Sequence, residues 1–273
     1  MKIFVTGGTG FIGSHFLNQA HAAGHEIVAL RRSPDSVPRI PLTKEPVWVD
    51  KAMNQVTADD LEGCDALVHL AAFGATPQPA TWQSCFKINV VDSLHLVESA
   101  NTAGVARIIA AGSYAEYGAS GPRYEFIPLD APLEPKGPYA ASKAAFFMAL
   151  RAFTASNSMR LAYGRIFSAY GEGQYEKNLW PSLRLAAKAG ENFEMTHGEQ
   201  IRDFIAVERV AAWFVESLVQ EKAFYIANVA SGEPVMLADF CRYWWKQFGA
   251  KGQLKFGALP YRDNEVMRYV PEV

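Results

Sequence analysis

The chain has 273 residues, with 26 Lys and Arg against 28 Asp and Glu and a formal net charge of −2. At 49% hydrophobic and 20% charged it can bury a sizeable core, which excludes a disordered chain, and without a basic excess nucleic acid is not an expected partner. Cys64, Cys85 and Cys241 are scattered without a C-x-x-C, so neither a disulfide framework nor a zinc site is indicated and a reducing cytoplasm is expected.

In chain order, short β-branched runs alternate with longer helical patterns. "KIFV" (2–5) predicts a strand and "GSHFLNQAHAAG" (13–24) a helix ending at Gly24. "EIVAL" (26–30) and, after a Pro-rich loop, "PVWVD" (46–50) predict the next two strands, and "DALVHLAA" (65–72) a fourth. The apolar spacing of "FKINVVDSLHLVESANTAG" predicts one long helix stopped by Gly104, followed by a fifth strand in "ARIIAAGS" (106–113). "YAASKAAFFMALRAFTA" then reads as a helix and "LAYGRIF" (161–167) as a strand. Such alternation implies βαβ units and a mostly parallel sheet. Beyond "YGEGQYEKNLWP" the pattern becomes irregular, so a second region is expected from near residue 170. The N-terminal apolar stretch is too short for a signal peptide, and no run approaches the ~18 apolar residues that suggest a membrane span.

"VTGGTGFIG" follows the first strand and opens the first helix. Gly7, Gly10 and Gly13 fit G-x-x-G-x-x-G, and Gly8, Gly10 and Gly13 fit G-x-G-x-x-G. Glycine there permits a tight turn and lets backbone approach a pyrophosphate at the helix N-terminus. An NAD-binding chain of this kind carries an acid ~20 residues further on, for the ribose 2′-hydroxyl. Here that place holds Arg31, followed by Arg32 and Ser33. Arginine can pair with a 2′-phosphate instead, so NADP(H) is expected over NAD(H). The bland alternative is a pair of solvated charges at a strand end.

"YAASK" puts Tyr139 and Lys143 at i and i+4, on one helical face. A nearby ammonium favours the phenolate of a tyrosine that is otherwise a poor acid–base group at neutral pH. Ser113 closes the fifth strand, where an open α/β sheet presents ligands, and its hydroxyl can bond a substrate oxygen. With a nicotinamide, such a set interconverts an alcohol and a ketone.

Together "TGGTGFIG", "HLAA", "INVVDS", "GSYAEYG", "YAASK", "GRIFSAYG" and "IRDFIAVERVA" resemble the extended short-chain dehydrogenases/reductases of the nucleotide-sugar epimerase/dehydratase type. The resemblance implies an α/β fold: a Rossmann-type, doubly wound parallel sheet with a smaller α/β C-terminal region for a nucleoside-diphosphate sugar. The expected division is 1–168 for cofactor and catalysis and 169–273 for the sugar, with some later segments returning to the first part. By the same likeness Ser113, Tyr139 and Lys143 are the catalytic set, and Tyr139 and Lys143 also contact the cofactor, Lys143 at the nicotinamide ribose. Gly7, Gly10, Phe11, Ile12 and Gly13 form the pyrophosphate turn, Asp50 contacts the adenine, and Ala71 lines the cofactor groove. Arg202 in "RDF" and Arg262 in "LPYRDNE" reach the substrate's diphosphate or nucleoside, and helices near 83–103 and 138–155 make a homodimer.

Three departures from that family refine the expectation. Tyr114 and Ala115 stand where 4,6-dehydratases carry an Asp-Glu pair, and Glu116, one place later, is expected on the opposite strand face. The strand-2 acid is missing. The chain also stops soon after "LPYR", which implies a more open pocket or a missing tail. The reading is an NADPH-dependent reductase of the C4 ketone of a nucleotide-activated 4-keto-6-deoxyhexose. The alternatives are a 4-epimerase with tightly held cofactor and, from another class, a non-catalytic NADP(H) sensor. His21 and His25, separated by Gly24, read as helix-end surface residues, and the tryptophans of "RYWWK" (242–246) as packing or subunit contacts.

Overall fold

The computed structural model describes residues 1–75, 80–263 and 265–273. Its first half runs β1 (Lys2–Thr6), α1 (Phe11–Ala22), β2 (Glu26–Arg31), β3 (Val47–Asp50), β4 (Ala66–His69), α2 (Trp82–Phe86), α3 (Ser93–Thr102), β5 (Arg107–Ser113), α4 (Gly137–Ser156) and β6 (Arg160–Ile166). Then come β7 (Ser168–Tyr170), α5 (Leu179–Ala189), β8 (Phe193–Met195), β9 (Ile201–Ala206), α6 (Val207–Glu216) and β10 (Phe224–Val229). The chain finishes with β11 (Pro234–Met236), α7 (Leu237–Gln247), β12 (Leu254–Phe256) and β13 (Arg268–Tyr269).

Seven strands form one parallel sheet in the order β10-β6-β5-β4-β1-β2-β3. Strand alternation sends successive apolar side chains to opposite helix layers. Ile3, Val5, Val68 and Ile109 pack with Phe16 and Phe214 of α1 and α6. Phe4, Leu67 and Ile108 pack on the other face with Leu96 and Phe146 of α3 and α4. The strand order reverses between β1 and β4, and a crevice at the carboxyl end of such a switch point is where open α/β sheets bind ligands.

Two expectations are refined here. The helix predicted over 86–104 forms as one unbroken helical run that starts earlier, at Trp82, and carries a π-helical turn, Lys87–Asp92, between α2 and α3. Ser93 Oγ donates to the Ile88 carbonyl five residues back at 3.0 Å, and Asn89 turns inward to bond other segments, so the ladder widens locally. Gly104 (φ +79°) does end the element. The stretch beyond 170 is also more regular than its sequence suggests. Trp180, Leu183 and Ala187 of α5 meet Phe240, Cys241 and Trp245 of α7 in a separate core, so the two tryptophans of "RYWWK" serve packing. A second sheet is centred on β9, which pairs with β7, β11 and β13. Between these, α6 lies against α1 and β10 joins the edge of the large sheet.

Candidate active site

The glycine turn lies at the switch point. Gly7 has φ +75°, and a Cβ there would sit 2.6 Å from the Ala71 nitrogen, while one on Gly13 would overlap the Gly7 carbonyl oxygen. The Gly10 N–H donates to the Gly7 carbonyl at 2.9 Å. Phe11, Ile12 and Gly13 begin α1, and their N–H groups have no intrahelical partner. This side-chain-free cradle beside Ala71, ahead of a helix start, fits a dinucleotide pyrophosphate.

Buried hydrogen bonds fix β4 against this turn. Ser93 Oγ gives its proton to Ile88, so it accepts from His69 Nε2 at 3.0 Å. His69 Nδ1 then accepts from Thr6 Oγ1 at 2.7 Å, and Thr6 Oγ1 accepts from the Ala71 N–H at 3.4 Å. Burial, assisted by the charge of Lys143, pushes the His69 imidazole down to about 3, so it is neutral.

At the ends of β2 and β3, Arg31 and Asp50 are register partners, and Arg31 Nε donates to Asp50 Oδ1 at 2.5 Å. The guanidinium also lies 4.9 Å from the centre of the Trp48 ring. The hydrogen bond to Asp50 raises the Arg31 pKa further. Arg31 and Asp50, expected to act separately on ribose phosphate and adenine, are thus joined. Arg32 is exposed, and Ser33 begins the turn in which its carbonyl accepts from the Ser36 N–H.

Ser113, Tyr139 and Lys143 come together at the carboxyl end of β5. Ser113 is buried at the last position of the strand, and its hydroxyl is a hydrogen-bond neighbour of Tyr139. Burial lifts the Tyr139 phenol to about 12, against the lowering effect of Ser113; Glu116, Tyr114 and Cys85 add to the rise. Lys143 is 2% exposed and donates to the Ala111 carbonyl at 2.6 Å. Burial lowers its ammonium to about 8, partly offset by Glu116. At neutral pH the pair is therefore phenol and ammonium.

Asn89 was named in a motif but given no role by sequence reasoning, and the structure places it at the hub. Its amide donates to the Phe73 carbonyl and Ser142 Oγ, both at 2.9 Å, and accepts from the Phe73 N–H at 2.7 Å. Ser142 in turn donates to the Tyr139 carbonyl at 2.8 Å. Asn89 thereby ties the loop after β4 to the turn of α4 that carries Tyr139. An amide inside an otherwise apolar helical run was the available signal.

On the other side of Ser113, Tyr114 is 39% exposed and forms an aromatic wall with Phe167 and Tyr269, at centroid distances of 5.6 and 5.4 Å. Arg202 on β9 pairs with Glu265 at 3.3 Å and donates to the Val266 carbonyl; burial lowers its pKa, partly offset by Glu265. Arg262 is exposed. Glu116 requires a correction. It does not alternate to the far side of a strand, because the chain leaves β5 in a 3₁₀ turn, Tyr114–Glu116, and the carboxylate folds back beneath the site. Its Oε1 accepts from the Ser113 N–H at 2.8 Å.

Among the described residues no helix is long and apolar enough to cross a membrane, and no group of three or more His, Cys, Asp or Glu is arranged to hold a metal. The model of the NAD dependent epimerase/dehydratase family matches residues 3–230. The chain belongs to that family. It is therefore an enzyme of the extended short-chain dehydrogenase/reductase type that works with a nicotinamide cofactor. A CDP-abequose synthase of Salmonella muenchen is 24% identical over 277 residues, covering 97% of this chain and 87% of that one. A dTDP-6-deoxy-L-talose 4-dehydrogenase (NAD(+)) of Aggregatibacter actinomycetemcomitans is 24% identical over 280 residues, covering 98% of both. Among solved structures, a UDP-N-acetylglucosamine 4-epimerase from Methanobrevibacter ruminantium M1 shares the fold with a TM-score of 0.89 at 23% identity, covering 100% of this chain and 89% of that chain.

Proposed function

We propose that the protein is a cytoplasmic NADPH-dependent reductase of the C4 ketone of a nucleoside-diphosphate 4-keto-6-deoxyhexose. The observation that carries this reading is a phenol–ammonium pair beside a strand-end serine, which is followed in the chain by Tyr114 and Ala115 where elimination of water needs an acid and a base. Ser113 bonds the ketone oxygen, Tyr139 gives it a proton, and Lys143 balances the phenolate left behind. When bound, the nicotinamide supplies the hydride. The backbone at Gly7, Gly10, Phe11, Ile12 and Gly13 holds the pyrophosphate, Lys143 the nicotinamide ribose, Ala71 the groove wall and Asp50 the adenine side. Arg32, Ser33 and the Asp50-braced Arg31 take the 2′-phosphate.

Arg202 and Arg262 reach the sugar nucleotide's diphosphate or nucleoside. Residues 1–168, completed by α6 and β10, bind the cofactor, and the rest of 169–273 binds the sugar. The two relatives named above, aligned along nearly the whole chain, support deoxysugar chemistry. Exposed Trp82, Val91 and Met148 belong to a homodimer face on the helices near 83–103 and 138–155. A 4-epimerase is the second reading, favoured by the Arg31–Asp50 pair, which leaves Arg31 less charge for a phosphate.

The test is to denature the purified protein, identify any released dinucleotide by mass, and titrate the stripped protein with NADPH and NADH. Little retained cofactor and an NADPH preference support the reductase. Stoichiometric, tightly held NAD makes the epimerase the better reading.

A further inference from the structure

Beneath Ser113, Tyr139 and Lys143 lies a carboxylate that the reaction above leaves unused. Glu116 is fully buried, and its two oxygens take three donors. Oε1 accepts from the Ser113 N–H at 2.8 Å and the Tyr163 hydroxyl at 2.7 Å, and Oε2 accepts from Arg165 Nε at 2.9 Å. Arg165 is equally enclosed: it donates to the Tyr117 hydroxyl at 3.1 Å and the Leu129 carbonyl at 3.0 Å. Its guanidinium sits over the rings of Tyr117 and Phe147, at 4.9 and 4.7 Å. Position 112 is a glycine where a Cβ would overlap the Tyr163 ring and come 2.9 Å from Glu116 Oε1. Replacing a buried ion pair by apolar side chains of similar volume is often neutral or stabilising. Stability is thus a weak reason for this pair, and its contact with Ser113 is a better one.

We propose that Glu116 is a positioning residue for hydrogen transfer: it holds Ser113 by its backbone N–H and keeps a fixed negative charge behind Lys143 and Tyr139. This rests on the roles given above to those three residues. The groups facing Glu116 are Tyr163 and Arg165 from β6, Tyr117 beside its own turn, and Tyr139 and Lys143 from α4. Lys143 also faces His69 of β4, and Tyr139 faces Tyr114 and Cys85. A buried negative charge acts alike on the two α4 groups, favouring ammonium over amine and phenol over phenolate. Those are the states in which Tyr139 can give a proton to a ketone. Arg165 Nε donates to the far oxygen of the carboxylate at 2.9 Å, so the two buried charges are paired in the interior.

The test uses the whole chain labelled with ¹³Cε-lysine. The NMR signal of Lys143 is assigned from its loss in Lys143→Met and followed against pH, alongside the pH profile of ketone reduction. Glu116→Gln keeps an oxygen for the Ser113 N–H but removes the charge. Glu116→Val with Arg165→Met replaces the whole pair and avoids an unpaired buried arginine. In both variants the Lys143 midpoint, near 8 in the parent, should fall by about one pH unit, and the alkaline limb of the rate should move with it. The double variant should lose roughly a further tenfold in kcat as Ser113 loosens, with KM little changed. An unmoved Lys143 midpoint in the folded double variant overturns the proposal. Full activity of Tyr139→Phe would instead defeat the reductase reading, while the NMR midpoints still report on Glu116.

Discussion

Acidification should uncover the buried hydrogen-bond chain that runs through His69. The imidazole is 1% exposed and accepts from Thr6 on one side while donating to Ser93 on the other, so a second ring proton has no place. Burial depresses its folded-state value to about 3 from 6.5. Between those values the unfolded chain binds a proton that the folded chain refuses. The stability contributed by a neutral His69 is therefore fully present above 6.5 and is lost as the pH falls toward 3. From pH 7 to pH 5 the linkage integral amounts to about 2 kcal/mol. Urea unfolding of the parent and of His69→Asn at both pH values isolates this contribution, since the other titrating groups are common to the two proteins. The parent should lose about 2 kcal/mol more than the variant over that interval. Parallel losses would refute the buried neutral histidine. Because the same chain reaches the Ala71 N–H beside Gly7, the variant should also bind NADPH more weakly at pH 7.

Tyr139→Phe should lower kcat by roughly 10²–10⁴ in a ketone-reduction assay; a variant with unchanged activity would revive the sensor alternative. Gly13→Ala forces a methyl onto the Gly7 carbonyl, and NADPH fluorescence titration should show affinity reduced by about tenfold or more. An affinity equal to the parent's would mean that the turn does not hold the cofactor. Trp82→Ser combined with Met148→Ser should convert a dimer to a monomer in analytical ultracentrifugation, and a parent that already sediments as a monomer removes the dimer proposal.

The large sheet is legible because its inner strands are continuous apolar runs bounded by Gly or helix starts, as in "KIFVTGG" and "ARIIAAGS". Ser113, Tyr139 and Lys143 are legible for a related reason: a strand end and a helix face have fixed geometry once the elements are placed. What escaped depends on where the chain bends. Treating 114–116 as more strand sends Glu116 outward, although Ser113 and Glu116 have the S-x-x-E spacing of a capping box, and that box is present. The Arg31–Asp50 pair depends on the register between β2 and β3, which local pattern does not supply. The amphipathic spacing of Trp180, Leu183 and Ala187 in α5 was hidden by the glycines and charges just before it.

The place of β10 bears on how the molecule is made. β6 finishes at Ile166, yet its outer neighbour in the sheet ends only at Val229, and the intervening chain builds β7 and β9 of the second sheet. At ribosomal rates of about 5–20 residues per second, these roughly 60 residues take roughly 3–12 s to synthesise. Throughout that interval a nascent sheet folded as far as β6 presents a bare edge of unpaired N–H and C=O groups, with Leu161, Ala162 and Tyr163 behind it. α6, which seats on α1, is the segment made immediately before the missing strand. With α6 seated on α1 and β10 following it after a short 3₁₀ turn, little chain separates a segment anchored on the large sheet from the strand that covers its edge.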